Sequence, residues 1–185
     1  MSPPSTCRPH DPVTIQHLEC IRKCLDFEDL FDVTIYALAC LAFWSQARLG
    51  ELLFENQFDW LLHITRGNVA FGVTSNACKY AKCWLPCTKR KPAGDWLLFT
   101  DSECMNSAYT ALVFHLFTNS HLAETAPFFA FETLDGGWSP MWRGWFLGQC
   151  NYVWCSQFLT PINGHSSVLV AWHIYYFSAS THSSL

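Results

Sequence analysis

The spacing of apolar positions lays out most of the elements of this chain. Ile15, Leu18, Ile21, Cys24 and Leu25 recur at three- and four-residue intervals, which predicts a helix over about 14–25 with Thr14 as its cap. The next stretch is apolar around nearly its whole circumference. A helix from about Leu30 to Gln46 without a polar face has to lie at the centre of the fold. From Asn56 to Ala77 the periodicity fades, predicting a loop with short extended pieces. KYAKCWLPCTKRKPAGDWLLFT then reads as a hairpin: a strand to about Cys87, a Pro-Ala-Gly turn, and a strand from Trp96 to Thr100. Asp101 or Ser102 is placed to cap a helix carrying Ala108, Leu112, Val113, Leu116 and Phe117. After FFAFET and a Gly-Gly turn, Ser139 or Pro140 opens a last helix that runs to about Phe158.

These elements predict a mainly α protein with a small β-hairpin or sheet, an α+β fold. Neither an internal repeat nor a second domain is visible. Residues 1–11 are rich in Pro and Ser and are expected to be flexible. Half of the 185 residues are hydrophobic and 16% are aromatic, ample material for a core. The longest apolar run, Val33 to Trp44, is broken by Thr34 and falls short of the ~20 residues that span a bilayer. The first residues, MSPPSTCRPHDP, lack the charged and apolar segments of a signal peptide. Together these features predict a soluble intracellular protein.

Ten cysteines raise the question of disulfides or zinc, yet no pair has C-x-x-C spacing. Cys78, Cys83 and Cys87 form the one run with any resemblance to a ligand set; free thiols acting as small apolar residues account for the rest, and no metal or other cofactor is expected. The formal charge of −4 speaks mildly against a polyanionic partner. Locally the sign reverses. Lys79, Lys82, Lys89, Arg90 and Lys91 fall within thirteen residues that contain no acid. A solvated hairpin accounts for that run as well as a nucleic-acid surface does.

One feature of the central helix calls for an explanation of its own. An apolar helix ends in a lone Arg48, inside ARLGEL, with Glu51 three residues later. Downstream, Thr-Lys-Arg occupies 88–90 in the hairpin, and Gly-His-Ser-Ser occupies 164–167. In this order and at these separations the three boxes resemble the catalytic domain of tyrosine recombinases, the phage-integrase type of DNA breaking-rejoining enzyme, and most of all its divergent fungal members. The resemblance runs from about Pro12 to His165. It implies that Arg48 is the first catalytic arginine, Lys89 the acid that protonates the leaving group, His165 the histidine of the third box, and Glu51 a support for the arginine's loop. It implies a metal-free reaction in which a tyrosine attacks a DNA phosphate, with guanidinium forks neutralising the charge that develops on the phosphoryl oxygens. It further implies duplex DNA as partner, held by Lys79, Lys82, Arg90 and Lys91, a role in recombination or integration, and a nuclear location in a eukaryotic cell. Assembly into the family's oligomer on DNA is not expected to persist in this chain.

The pattern then breaks. Val168 stands where the family carries its second arginine, and Tyr175 and Tyr176 follow His165 by only ten and eleven residues, too close for the nucleophile. The codons from Ser166 onward permit, in a shifted frame, Phe-Arg-Ile-Gly-Gly and the family-like sequence after it. The expectation is a recombinase remnant: residues 12–165 a partial catalytic domain, 166–185 a degenerate tail, with weak, sequence-independent DNA binding and no strand transfer. Each role has a plainer rival. Arg48 can sit at a helix C-terminus for the macrodipole, Lys91 competes with Lys89, Glu51 can pair locally, and His165 can be a loop residue. If those rivals hold, the chain is a non-enzymatic helical DNA-binding or protein-interaction module.

Overall fold

Helix α2, Leu30–Ser45, is the axis around which the chain is built. Every residue from Val33 to Phe43 is buried, as its all-round apolar sequence predicts, and Asp29 caps it by accepting the Phe31 N–H at 2.8 Å. This computed structural model describes residues 13–89, 91–102 and 104–162. Around α2 lie α1 (Ile15–Cys24), α3 (Leu49–Leu52), α4 (Ala108–Thr118) and α5 (Arg143–Ser156). Strands β1 (Val69–Val73), β2 (Lys79–Leu85) and β3 (Asp95–Thr100) form one antiparallel sheet with β2 in the middle. β4 (Ala130–Glu132) and β5 (Trp138–Pro140) form a second, two-stranded one. The fold is α+β.

α2 packs most extensively on α4, while α1 packs on α5 through Trp154, whose indole N–H donates to the His17 carbonyl at 3.0 Å. Ala81, Cys83, Leu85 and Phe99 face inward from the sheet and join the same hydrophobic cluster as α2. The period-two alternation of KYAKCWL thus sends every second residue of β2 to the core. No described helix is long and apolar enough to cross a membrane.

Four boundaries differ from the sequence reading. β2 stops at Leu85 rather than Cys87 because Pro86 has no N–H to continue the ladder. Asp101 and Ser102 do not cap α4, because the helix starts only at Ala108; Ser107 caps it, its hydroxyl accepting the Thr110 N–H at 3.3 Å. Ser139 and Pro140 do not open the last helix. They pair with Phe131 and Ala130, a turn at Gly136 (φ 80°) closes that hairpin, and α5 starts at Arg143. Within 56–77, read as a loop with short extended pieces, one such piece, Val69–Val73, is a full strand of the larger sheet and pairs with β2.

The cysteines do not gather. Cys83 is buried in the sheet's inner face, Cys78 lies in the turn before β2, and Cys87 lies beyond its end. An extended strand separates the outer two too widely for shared ligation. Among the described residues, no group of three or more His, Cys, Asp or Glu side chains is arranged to hold a metal ion. Cys40, Cys83 and Cys150 are buried thiols, with burial pushing Cys40 and Cys83 up to about 12, whereas Cys24 and Cys155 are exposed.

Candidate nucleic-acid interface

Arg48 lies in the short link between α2 and α3, beyond the end of the central helix. α2 closes at Ser45, whose hydroxyl donates to the Leu41 carbonyl at 2.6 Å and accepts the Ala47 N–H at 3.1 Å. Between them Gln46 takes the left-handed conformation (φ 55°), which turns the chain sharply. Ala47 and Leu49 are buried on either side, so the backbone is anchored and Arg48 alone is turned outward. It stands at the N-cap of the four-residue α3. A cation there opposes the macrodipole, so the reading of Arg48 as a C-terminal helix cation does not apply.

Glu51 offsets that cost. Its Oε2 accepts the Arg48 backbone N–H at 3.0 Å, and its Oε1 lies 3.3 Å from Arg48 Nη1. The two side chains are 29% and 15% exposed, a half-buried pair with the rest of the guanidinium fork open. The same Oε1 also accepts the backbone N–H of Lys89 at 3.4 Å, from 38 residues further along the chain. One carboxylate thereby ties Arg48 to the β2–β3 connection.

That connection is itself ordered by short bonds. The Thr88 N–H donates to the Lys91 carbonyl at 3.1 Å, and the Thr88 hydroxyl accepts from the Lys91 N–H at 3.0 Å. Gly94 (φ 92°) then donates to the Lys91 carbonyl and lets the chain return. Lys91 Nζ is engaged by Asp95 at 2.8 Å, and that lysine holds the Asp95 carboxyl below its usual range. Among the described residues, the Lys89 side chain has no carboxylate partner, and it is exposed. The two rival lysines are therefore not equivalent: Lys89 lies beside Arg48 with its charge uncompensated, while Lys91 is neutralised.

The remaining basic residues do not share this spot. Lys82 lies on the outward face of β2, with Nζ 5.4 Å from the centre of the Trp96 ring. Lys79 begins β2, at the strand end away from Lys89. Arg90 and His165 lie outside the described residues, as do Val168, Tyr175 and Tyr176.

Two arginines that the sequence reading passed over have defined roles. Arg143, the first residue of α5, pairs with Glu55. Arg66 reaches back to the end of α4, donating from Nη2 to the carbonyls of Leu116 at 3.1 Å and Asn119 at 2.8 Å. Only tertiary packing brings these partners together, so no local spacing in the sequence announces them. Compared with known proteins, the chain matches no family model, no curated protein and no solved structure.

Proposed function

We propose that this chain is a remnant of a tyrosine recombinase catalytic domain that retains part of a phosphate-binding surface for duplex DNA and does not break or rejoin strands. The observation that carries the reading is the Glu51 carboxylate, which joins the first box to the lysine box across 38 residues. A phosphate beside Arg48 would meet the open edge of its fork, and the Lys89 ammonium would approach from the hairpin. Glu51 then acts as the support for both, fixing the Arg48 backbone and the start of the Thr88–Lys91 turn.

Chemistry is a separate matter. Val168 takes the place of the second arginine, and loss of one preorganised donor to a developing oxyanion costs about 2.7–4 kcal/mol of transition-state stabilisation. Tyr175 and Tyr176 stand too close to His165 for the family's nucleophile. The test is a low-salt mobility shift on duplex DNA with the wild type, Arg48→Ala and Lys89→Ala, together with a nicked suicide substrate that traps a covalent adduct. Weak duplex binding that both substitutions reduce, with no adduct, is the expected result. Binding indifferent to both substitutions removes the reading, and an adduct lost in Tyr175→Phe or Tyr176→Phe identifies an active enzyme instead.

A further inference from the structure

The face of the larger sheet turned away from the core is built of flat rings around a cation. Tyr80, Lys82 and Trp84 of β2 alternate with the buried Ala81, Cys83 and Leu85, and so share the outer side. In the register, Trp84 lies across from Trp96 and Lys82 from Leu98. Trp96 and Leu98 are 51% and 64% exposed. The Trp84 and Trp96 rings stand 5.0 Å apart at 55°, and Lys82 Nζ lies over Trp96. Beside the tryptophan pair an open groove of about 390 Å³ is walled by Gly67, Asn68, Val69 and Ala70.

Two glycines keep these rings where they are. A Cβ on Gly72, which pairs with Tyr80, would run into the Tyr80 ring, and a Cβ on Gly94 would run into the Trp84 ring. The residues that the register puts on this face, from Ala70 and Gly72 through Tyr80 and Trp84 to Thr100, include no acid. Tyr80 and Trp84 are separated by four strand steps, about 14 Å, which is room for successive bases of an extended strand. An exposed indole at Trp96 and the partly exposed Trp84 and Tyr80 rings on the same face, with a cation among them and no carboxylate, match the π-faces and phosphates of unpaired nucleotides. A duplex hides its base faces inside its own stack and has nothing to offer such rings.

We propose that this sheet face binds single-stranded nucleic acid, with bases stacking on Trp96, Trp84 and Tyr80 and Lys82 neutralising a phosphate. The surface is separate from the Arg48–Glu51–Lys89 spot and stands or falls without it. The stacking chemistry is common to DNA and RNA, so the test uses both.

Fluorescence anisotropy of the full chain at low salt is measured with labelled oligothymidylate, labelled oligouridylate and a duplex. Binding to either single strand is expected, the tighter one identifying the strand chemistry. Trp96→Ala should weaken it roughly 5- to 150-fold, the worth of one base–aromatic stack. Trp96→Phe, which keeps a ring, should recover most of the loss. Lys82→Ala should lower the log–log salt slope by about 0.7. Urea midpoints close to wild type establish that the variants are folded, as the exposure of Trp96 leads one to expect. No binding to either strand, or binding insensitive to Trp96→Ala, overturns the proposal. So does a dimer in sedimentation that Trp96→Ala dissociates, since the face is then a self-interface. Loss of duplex binding alone bears only on the recombinase reading.

Discussion

Arg48 caps the short helix α3 and Arg66 opens a single 3-10 turn (Arg66–Asn68), yet they are used in opposite ways. Arg66 turns inward: Nη2 closes the end of α4 on two carbonyls, and Nη1 is buried without a partner. Burial holds its guanidinium below the usual arginine range. Arg48 turns outward, held by a single carboxylate on one edge of the fork. A buried cation whose bonds close a helix end stabilises the fold and has no open edge to present to a ligand. A cation fixed along one edge with its others open is preorganised for an anion. The contrast separates a structural arginine from a candidate binding one without any appeal to resemblance.

The largest break in that contrast comes from removing Arg66. Arg66→Ala takes away both bonds to the α4 terminus and leaves the Leu116 and Asn119 carbonyls without them, at a cost of about 3 kcal/mol. The urea midpoint should fall accordingly, while duplex affinity per folded molecule stays as it was. An equal loss of DNA affinity per folded molecule would place Arg66 in the interface as well.

Beside Arg66 the interior holds His115, fully buried on α4. Its Nε2 lies 3.1 Å from the Phe128 carbonyl, which can only accept, so the ring hydrogen is on Nε2. Nδ1 is then an acceptor for the Asn119 amide at 3.4 Å, while the Thr34 hydroxyl, 3.2 Å away, gives its hydrogen to the Leu30 carbonyl at 2.8 Å. Desolvation lowers the His115 pKa to about 4, against the Phe128 hydrogen bond that raises it, with Arg66 adding a smaller push downward. A depressed histidine pKa means that the unfolded chain takes up a proton first. Stability is complete above about 6.5 and declines as pH falls toward about 4, by about 3 kcal/mol over the window. Burial lowers His17 too and adds to the slope in the same direction. Denaturation midpoints from pH 7 to 4 check this, and His115→Gln should flatten most of the trend. A full slope in His115→Gln would move the effect to His17 or the carboxylates.

How far the sequence shows these two sites follows from the range of the contacts. α2 was legible because an all-apolar stretch has one place to go. Cap and turn residues were legible to within a few positions, and missed where the helix starts later than its periodicity suggests, as at α4, which Ser107 caps. The Arg48–Glu51 pair was legible because three residues separate its members. The link from Glu51 to Lys89, the pairing of Lys91 with Asp95 and the partners of Arg66 were not, since each depends on tertiary packing or on which neighbour a flexible cation meets. The outward aromatic face was written in the alternation of KYAKCWL and DWLLF, but reading the strands only for their basic residues passed over it.

The smallest effect on stability, and the sharpest test of the contrast, belongs to Arg48. Its pair with Glu51 is a single, partly exposed contact 3.3 Å long, so Arg48→Ala should shift unfolding by about 1 kcal/mol. The backbone bonds that Glu51 makes to Arg48 and Lys89 survive that change, because neither uses the guanidinium. Duplex binding should respond quite differently: one lost phosphate contact lowers the log–log salt slope by about 0.9. Arg48→Lys keeps the charge and loses the fork, so it should preserve the slope while weakening the affinity. Lys91→Ala, which removes a cation that Asp95 already neutralises, should change the slope less than Lys89→Ala does. Equal effects of Lys89→Ala and Lys91→Ala would mean that the hairpin acts as a diffuse positive surface. A stability loss in Arg48→Ala as large as that of Arg66→Ala would erase the distinction between the two arginines.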